Sequence, residues 1–312
     1  MDTKAKIAIL IPCYNVQAHI EQVIVDALKK VDLVIAVNDC STDDSALILE
    51  DLKRKYTQVY IIHHKKNQGV GGAMKTAFQF ALKTDVDICV KIDGDGQMDT
   101  SFLPKLLAPI QSGQAEMSKG NRFHNLRALS RMPFVRRIGN LGLSFLIKAA
   151  SGYWQLFDAS NGFIAVHRRS LEQLEWNNIA NDYFFESSLL IEMNYIKARI
   201  QDVAMPAIYN DEESHLSIRR TLVNFPPRLA KAFLKRLLFQ YFLFDFNIGS
   251  IYLLFGVPLF GFGFLFGLIN WIHYASQDIG APLGTIMVAT LSIVIGFQLL
   301  LAAIQYDITN KD

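Results

Sequence analysis

The chain has 312 residues, 31 Lys and Arg against 29 Asp and Glu, a net charge of +2 and 51% apolar side chains. So even a charge balance points to no polyanionic partner and away from nucleic acid, and the apolar share is high for a purely soluble protein. The length suits one large domain or two smaller ones.

Residues 6–12 (KIAILIP) form a continuous apolar run that predicts a first strand, with a helix following from Asn15 to about residue 30. Residues 33–37 predict a second strand. It delivers the polar loop Asn38-Asp39-Cys40-Ser41-Thr42-Asp43-Asp44-Ser45, after which 46–56 has helical spacing with Ser41 or Thr42 as N-cap. A third strand at 59–63 leads into Asn67-Gln68-Gly69-Val70-Gly71-Gly72-Ala73, a glycine-rich loop opening a helix over 74–83. Strand, polar loop and helix then repeat, which predicts an α/β fold with a mostly parallel sheet and right-handed crossovers. The glycines do not make a dinucleotide fingerprint, because G-V-G-G is incomplete and follows the third strand. No Gly-Lys-Ser/Thr follows either, which argues against a phosphate-loop NTPase.

Ile88, Val90 and Ile92 predict a buried fourth strand, which ends abruptly in Asp93-Gly94-Asp95-Gly96-Gln97. Open α/β sheets bind ligands at this edge, and glycine lets backbone and ligand approach closely. Asp93 and Asp95 alternate along extended backbone, and such oxygen donors suit Mg²⁺ or Mn²⁺ holding a diphosphate. The plain alternative is an acid-glycine turn with two solvated carboxylates.

Further on, 102–111 predicts a helix, 117–122 a strand and 138–150 an amphipathic helix. Arg127, Arg131, Arg136 and Arg137 lie between them, either as a solvated surface or as guanidinium forks for phosphate. Phe157-Asp158-Ala159-Ser160-Asn161-Gly162 is a turn into a strand at 163–167. Asn181 or Asp182 caps a helix running to about residue 195, which places Glu186 one turn beyond Asp182 on the same face. Residues 200–206 predict an edge strand, and 209–215 are polar and acidic.

The C-terminal third is different in kind. Residues 228–246 interleave Arg228, Lys231, Lys235 and Arg236 with aromatic and leucine side chains, the pattern of an interfacial helix. Residues 248–275 and about 282–306 are each long enough to cross a hydrocarbon layer of about 30 Å, and Asp278 is the only formal charge between Asp245 and Asp307. Two buried helices of a soluble core are the alternative. The cations just before the first span, with Arg219 and Arg220, place the N-terminal domain in the cytoplasm of an integral membrane protein, of the bacterial inner membrane or an equivalent one, and the 277–282 loop on the far side. Cys13, Cys40 and Cys89 read as small core residues in a reducing compartment, and no signal peptide is visible.

Taken in order, Pro12-Cys13-Tyr14-Asn15, Asn38-Asp39-x-Ser41-Thr42-Asp43, Asn67-x-Gly69-x-Gly71-Gly72-Ala73, Asp93-Gly94-Asp95-Gly96-Gln97, Gly120-Asn121-Arg122-Phe123 and Asn161-Gly162-Phe163 resemble the family 2 glycosyltransferases of GT-A fold. Within that family the chain is similar to the polyprenyl-phosphate sugar transferases, the branch containing dolichyl-phosphate mannose synthase. The resemblance covers roughly 6–217 and implies a catalytic domain over 1–217, a juxtamembrane amphipathic segment at 218–246 and two transmembrane helices within 247–312.

It further implies a membrane-anchored inverting transferase moving a sugar from a UDP- or GDP-linked donor to a polyprenyl phosphate. Pro12 and Tyr14 would border the nucleotide pocket and Asp39 would contact the nucleobase or ribose. Asp93, Asp95 and Gln97 would hold the Mg²⁺ or Mn²⁺ and the diphosphate. Arg122 and one of Arg136 or Arg137 would hold the acceptor phosphate. Glu186, or else Asp182, would lie near the acceptor. Gly94 stands where many relatives carry alanine, and Ser214-His215 where mannose-transferring members tend to have Ser-Lys. The sugar stays open, as does a homo-oligomer. Two rivals remain: a transferase acting on a glycan or glycolipid hydroxyl, which needs a base, and a non-catalytic scaffold that keeps nucleotide binding.

Overall fold

The computed structural model describes residues 5–122, 134–159, 161–205 and 218–309, with backbone alone at 134–138, 140 and 218–223. The chain divides into two compact units, Met1–Ala232 and Phe233–Asp312.

The first unit is built on one sheet of strands β1 (Ile7–Cys13), β2 (Leu33–Asn38), β3 (Val59–His63), β4 (Ile88–Lys91), β5 (Met117–Asn121), β6 (Ile164–His167) and β7 (Ile200–Ala204). Their order across the sheet is β3-β2-β1-β4-β6-β5-β7. Only β6 runs against its neighbours, so the mostly parallel α/β sheet expected of a GT-A fold is what forms. Because β4 and β5 both pair antiparallel with β6, they run the same way. The C-terminal ends of β1, β2, β4, β5 and β7 therefore share one edge with the turn that enters β6. β1, next to the central β4, is apolar at every position from Ile7 to Ile11, all buried, as a strand covered on both faces must be.

Helices α1 (Ile20–Leu28), α2 (Ser45–Lys55), α3 (Gly69–Ala81), α4 (Leu103–Gln111), α5 (Phe134–Ser151), α6 (Arg168–Leu171) and α7 (Phe185–Tyr195) connect the strands. Several boundaries differ from the sequence expectation for local reasons. α1 starts at Ile20, not Asn15, because Asn15 takes a left-handed φ of 54° and its side chain accepts from Thr42 N at 2.8 Å. That same pairing, with Ser41 Oγ accepting from Asn15 N, removes Ser41 and Thr42 as caps of α2. The N-cap is Asp44, with no side-chain cap bond, and Asp43 before it accepts from Ser45 N at 3.0 Å. Cys13 and Cys89 are core residues, and burial pushes both thiols up, Cys89 to about 12. Cys40 is a correction: it is exposed in a turn with φ 62°.

α8 (Ile218–Leu238) crosses the boundary between units and carries Pro226 and Pro227 inside it, so it starts earlier than the interfacial helix expected from 228. In the second unit a π-helical turn (Phe239–Phe244) precedes α9 (Ile248–Ser276) and α10 (Leu283–Thr309), the two long apolar helices. Their outer side chains are uncovered, Trp271 being 70% and Leu283 74% exposed, which removes the alternative of a buried core pair. They pack antiparallel through small residues one heptad apart, Gly249, Gly256 and Gly263 on α9 and Ala289, Gly296 and Ala303 on α10. Arg236, one of the cations of the expected interfacial helix, is 1% exposed, its guanidinium forked onto Asp307 at 2.7 and 2.8 Å. Tyr241 also donates to Asp307, at 2.6 Å, so this buried carboxylate is fully engaged.

A Cβ on Gly263 would stand 2.7 Å from Ile293 N, whereas one on Gly261 meets nothing within 4 Å. Gly263→Val therefore lowers the melting temperature in detergent by at least about 5 °C, and Gly261→Val leaves it within about 1 °C. Differential scanning fluorimetry of the two variants checks this.

Candidate active site

The shared edge of the sheet gathers the polar motifs. Register aligns Cys13 with Asn38, and Asp39 N donates to Cys13 O at 2.8 Å, so the ends of β1 and β2 finish level. Ile92 N donates to Leu10 O at 3.1 Å and brings the end of β4 beside them. Pro12 is half-buried and Tyr14 is 50% exposed at this rim. Asp93, Asp95 and Gln97 follow, all half-buried. Gln97 N donates to Asp95 Oδ1 at 3.0 Å, which fixes a tight turn around Gly96 with φ 74°.

Two lysines lie directly beneath. Lys91 and Lys119 occupy paired positions on β4 and β5, each registered to Ile164 of β6, so both side chains leave the same face of the sheet. Lys91 is 1% exposed, and its Nζ lies 2.6 Å from Asp93 Oδ1 and 3.3 Å from Glu186 Oε1. Burial alone would lower its pKa, but the charges of Asp93 and Glu186 outweigh that and hold it above the ordinary lysine value. Lys119 is fully buried and donates to Asn161 O; there burial prevails and its pKa falls to about 8. Sequence reading missed both: Lys91 ends an apolar strand run, and Lys119 stands between Ser118 and Gly120 in a short mixed strand. A charged residue at a buried strand position is the signal that marks them.

Asp39 is 2% exposed, and its carboxylate holds the glycine loop: Oδ1 accepts from Gln68 N and pairs with His64 Nδ1, and Oδ2 accepts from Gly69 N. His64 continues through Nε2 to Thr76 Oγ1 at 2.9 Å. The helix starts at Gly69 instead of Met74, so the glycines form its first turn. Gly71 has no room for a Cβ against the Ala180 carbonyl, and Gly72 N donates to Asn181 O at 3.0 Å. The close approach these glycines permit is thus to the chain's own segment before α7.

Asp182 and Glu186 part company. α7 begins at Phe185 with no side-chain cap, and Asp182 lies before it, so the two do not share a helix face. Asp182 accepts from Phe184 N at 3.1 Å and pairs with Arg228 at 2.7 Å, whose guanidinium stacks 4.1 Å over the Phe184 ring. Glu186, with a side chain 14% exposed, turns to Lys91. Arg122 follows β5 on the same edge and grips the fully buried Asp158 through Nε at 2.8 Å and Nη2 at 3.2 Å. Arg136 and Arg137 lie in the first turn of α5, where their side chains are outside the described residues; so are Phe123, Arg127, Arg131, Ser214 and His215.

Among the described residues no three His, Cys, Asp or Glu side chains cluster as a ready-made cation site. The chain offers the two carboxylates of Asp93 and Asp95, with Gln97 beside them. Such a donor set fits a hard divalent cation that takes its other ligands from a diphosphate and water.

The chain is also similar to known proteins. Residues 8–175 match glycosyl transferase family 2. A UDP-N-acetylglucosamine–dolichyl-phosphate N-acetylglucosaminyltransferase from Methanococcus voltae is 31% identical over 218 residues, 66% of this chain and 86% of that one. An undecaprenyl-phosphate mannosyltransferase from Micrococcus luteus is 24% identical over 205 residues, 64% of this chain and 82% of that one. A solved mannosyltransferase from Pyrobaculum calidifontis, in complex with GDP-Man and Mn²⁺, superposes with TM-score 0.45 and 12% identity over 100% of this chain and 89% of that one, too distant to assign anything here.

Lys119 yields a pH signature. Its folded pKa of about 8 lies below its unfolded value, so between the two the unfolded state holds the extra proton and stability rises with pH. Lys119→Met removes that slope. Denaturant unfolding at about pH 7.5 and about pH 10 then shows the wild type gaining a few kcal/mol relative to the variant.

Proposed function

The chain belongs to glycosyl transferase family 2, and on that premise we propose that it moves a sugar from a nucleoside-diphosphate donor to a polyprenyl phosphate, with inversion, at the cytoplasmic leaflet of the membrane that α9 and α10 span. The catalytic domain is then 1–217, 218–246 is the juxtamembrane segment and 247–312 holds the spans. The relatives named for dolichyl- and undecaprenyl-phosphate support the acceptor class. The observation that carries the reading is the contact of buried Lys91 with both Asp93 and Glu186, at the sheet edge where Asp95 follows β4 and Arg122 follows β5.

In this account Asp93, Asp95 and Gln97 hold Mg²⁺ or Mn²⁺ against the donor diphosphate. Bound there, the cation supplies Lewis-acid stabilisation of the departing nucleoside diphosphate. Tyr14 and Pro12 border the nucleotide, and Asp39 shapes its pocket by fixing the Gln68-Gly69 turn. Arg122 offers a guanidinium already held in one orientation by Asp158, so little side-chain freedom is lost on meeting the acceptor phosphate. Arg136 or Arg137 is the second cation for that phosphate.

A lipid phosphate is ionised near neutral pH and attacks without a strong base. That assigns Glu186 an orienting role, consistent with its pairing to Lys91. Asp182, engaged by Arg228, is the weaker candidate. Anchoring by two apolar helices keeps the domain beside an acceptor that never leaves the bilayer, which raises its effective concentration.

The test is a donor screen on membranes carrying the protein, with UDP-N-acetylglucosamine, UDP-glucose and GDP-mannose labelled in the sugar. Label enters the organic phase for at least one donor and is lost on mild acid, as a glycosyl phosphate requires. Asp95→Asn lowers the rate by at least about 100-fold, and Glu186→Gln lowers it less. Label found only in water-soluble polymer, with Glu186→Gln inactive, instead indicates a hydroxyl acceptor.

A further inference from the structure

Lys91 enters the account above only as the partner of Glu186, yet with Lys119 it is one of two fully enclosed cations among the described residues of the site. Its ammonium contacts a carboxylate of the β4 turn and a carboxylate of α7, two segments far apart in sequence. The space around it is shaped to admit it. A Cβ added at Gly162 would overlap Lys91 Nζ and lie 3.2 Å from Asp93 Oδ2, so the Asn161-Gly162-Phe163 turn needs its glycine to leave room for this pair. Asn161 is itself 3% exposed and fixed, donating to Gly120 O at 2.7 Å and accepting from Phe163 N at 3.0 Å, so the turn cannot simply retreat.

We propose that Lys91 is a positioning residue that makes divalent-cation uptake by Asp93 and Asp95 conditional on the diphosphate. The proposal rests on the functional reading above. A cation entering the nucleotide-free site has to share Asp93 with a fixed ammonium 2.6 Å from one of its oxygens, and it meets like-charge repulsion in a partly buried setting where screening is weak. A diphosphate adds negative charge and further oxygen ligands, which offsets that repulsion. Cation and nucleotide then bind together, each raising the affinity of the other by the same factor. The longer contact with Glu186 Oε1, at 3.3 Å, ties the acceptor-side helix to the donor-side turn.

The experiment is Mn²⁺ binding to the full chain in detergent micelles, read by the loss of the free-ion electron paramagnetic resonance signal. It is done alone and with saturating UDP or GDP, for the wild type, Lys91→Met and Lys91→Arg. In the wild type, nucleotide raises Mn²⁺ affinity by at least about 10-fold. Lys91→Met binds Mn²⁺ without nucleotide at least about 10-fold more tightly than the wild type, so the coupling factor shrinks, while Lys91→Arg keeps the charge and the coupling. Should Lys91→Met not fold, Lys91→Gln removes the charge with a polar side chain and raises nucleotide-free Mn²⁺ affinity in the same direction. A folded variant of either kind with unchanged or weaker nucleotide-free binding overturns the proposal. If the wild type transfers sugar and Lys91→Met keeps the same coupling, the proposal alone fails. A wild type that binds no Mn²⁺ even with nucleotide overturns both the functional reading and the proposal.

Discussion

The site depends on one constraint: negative charge is concentrated at a sheet edge that the fold partly buries, and it is held there by cations placed in the sheet itself. Lys91 and Lys119 leave the same face of β4 and β5, and Lys91 meets Asp93 and Glu186 directly. Without these ammonium groups the acidic turn would carry uncompensated charge against the Asn161-Gly162 turn, and such charges are costly to bury unpaired. With them, the turn is preorganised before any ligand arrives.

The same logic of local satisfaction runs through the neighbouring segments. Asp39 gathers the amides of Gln68 and Gly69 and the His64 ring, which fixes the start of α3. The bare backbone of Gly71 and Gly72 then lets residues 180 and 181 close down on α3, and Lys75 adds bonds to Ile179 O and Asn181 Oδ1 at 3.1 and 3.0 Å. That contact sets the entry to α7 and so the position of Glu186. A chain of close backbone approaches, and no single motif, thereby links the end of β2 to the end of β4. In the second unit Asp307 plays a comparable part, collecting Arg236 and Tyr241 where the second apolar helix ends.

Much of this was legible in the sequence because strand ends announce themselves. The runs at Ile7, Leu33, Val59 and Ile88 give way to polar residues at Asn15, Asn38, His63 and Asp93, and the structure ends its strands within about two residues of those points. The reversal of β6 was not legible, since hydrophobic pattern carries no strand direction. The start of α1 was missed because a left-handed Asn15 and its bonds to Ser41 and Thr42 are long-range facts. The pairing of Arg122 with Asp158 spans 36 residues and has no periodic signature. Asp182 and Glu186 looked equivalent by spacing, and only Arg228 and Lys91 tell them apart. Lys91 was hidden by its apolar neighbours and Lys119 by the small residues Ser118 and Gly120 around it, although a lysine at a buried strand position is itself the clue.

The central claim is that the carboxylates after β4 hold a divalent cation bound to the donor's diphosphate. Electron–nuclear double resonance at phosphorus on Mn²⁺ in the presence of UDP or GDP measures this directly. The account predicts strong phosphorus couplings in the wild type that disappear in Asp95→Asn. Couplings unchanged by that substitution would contradict it.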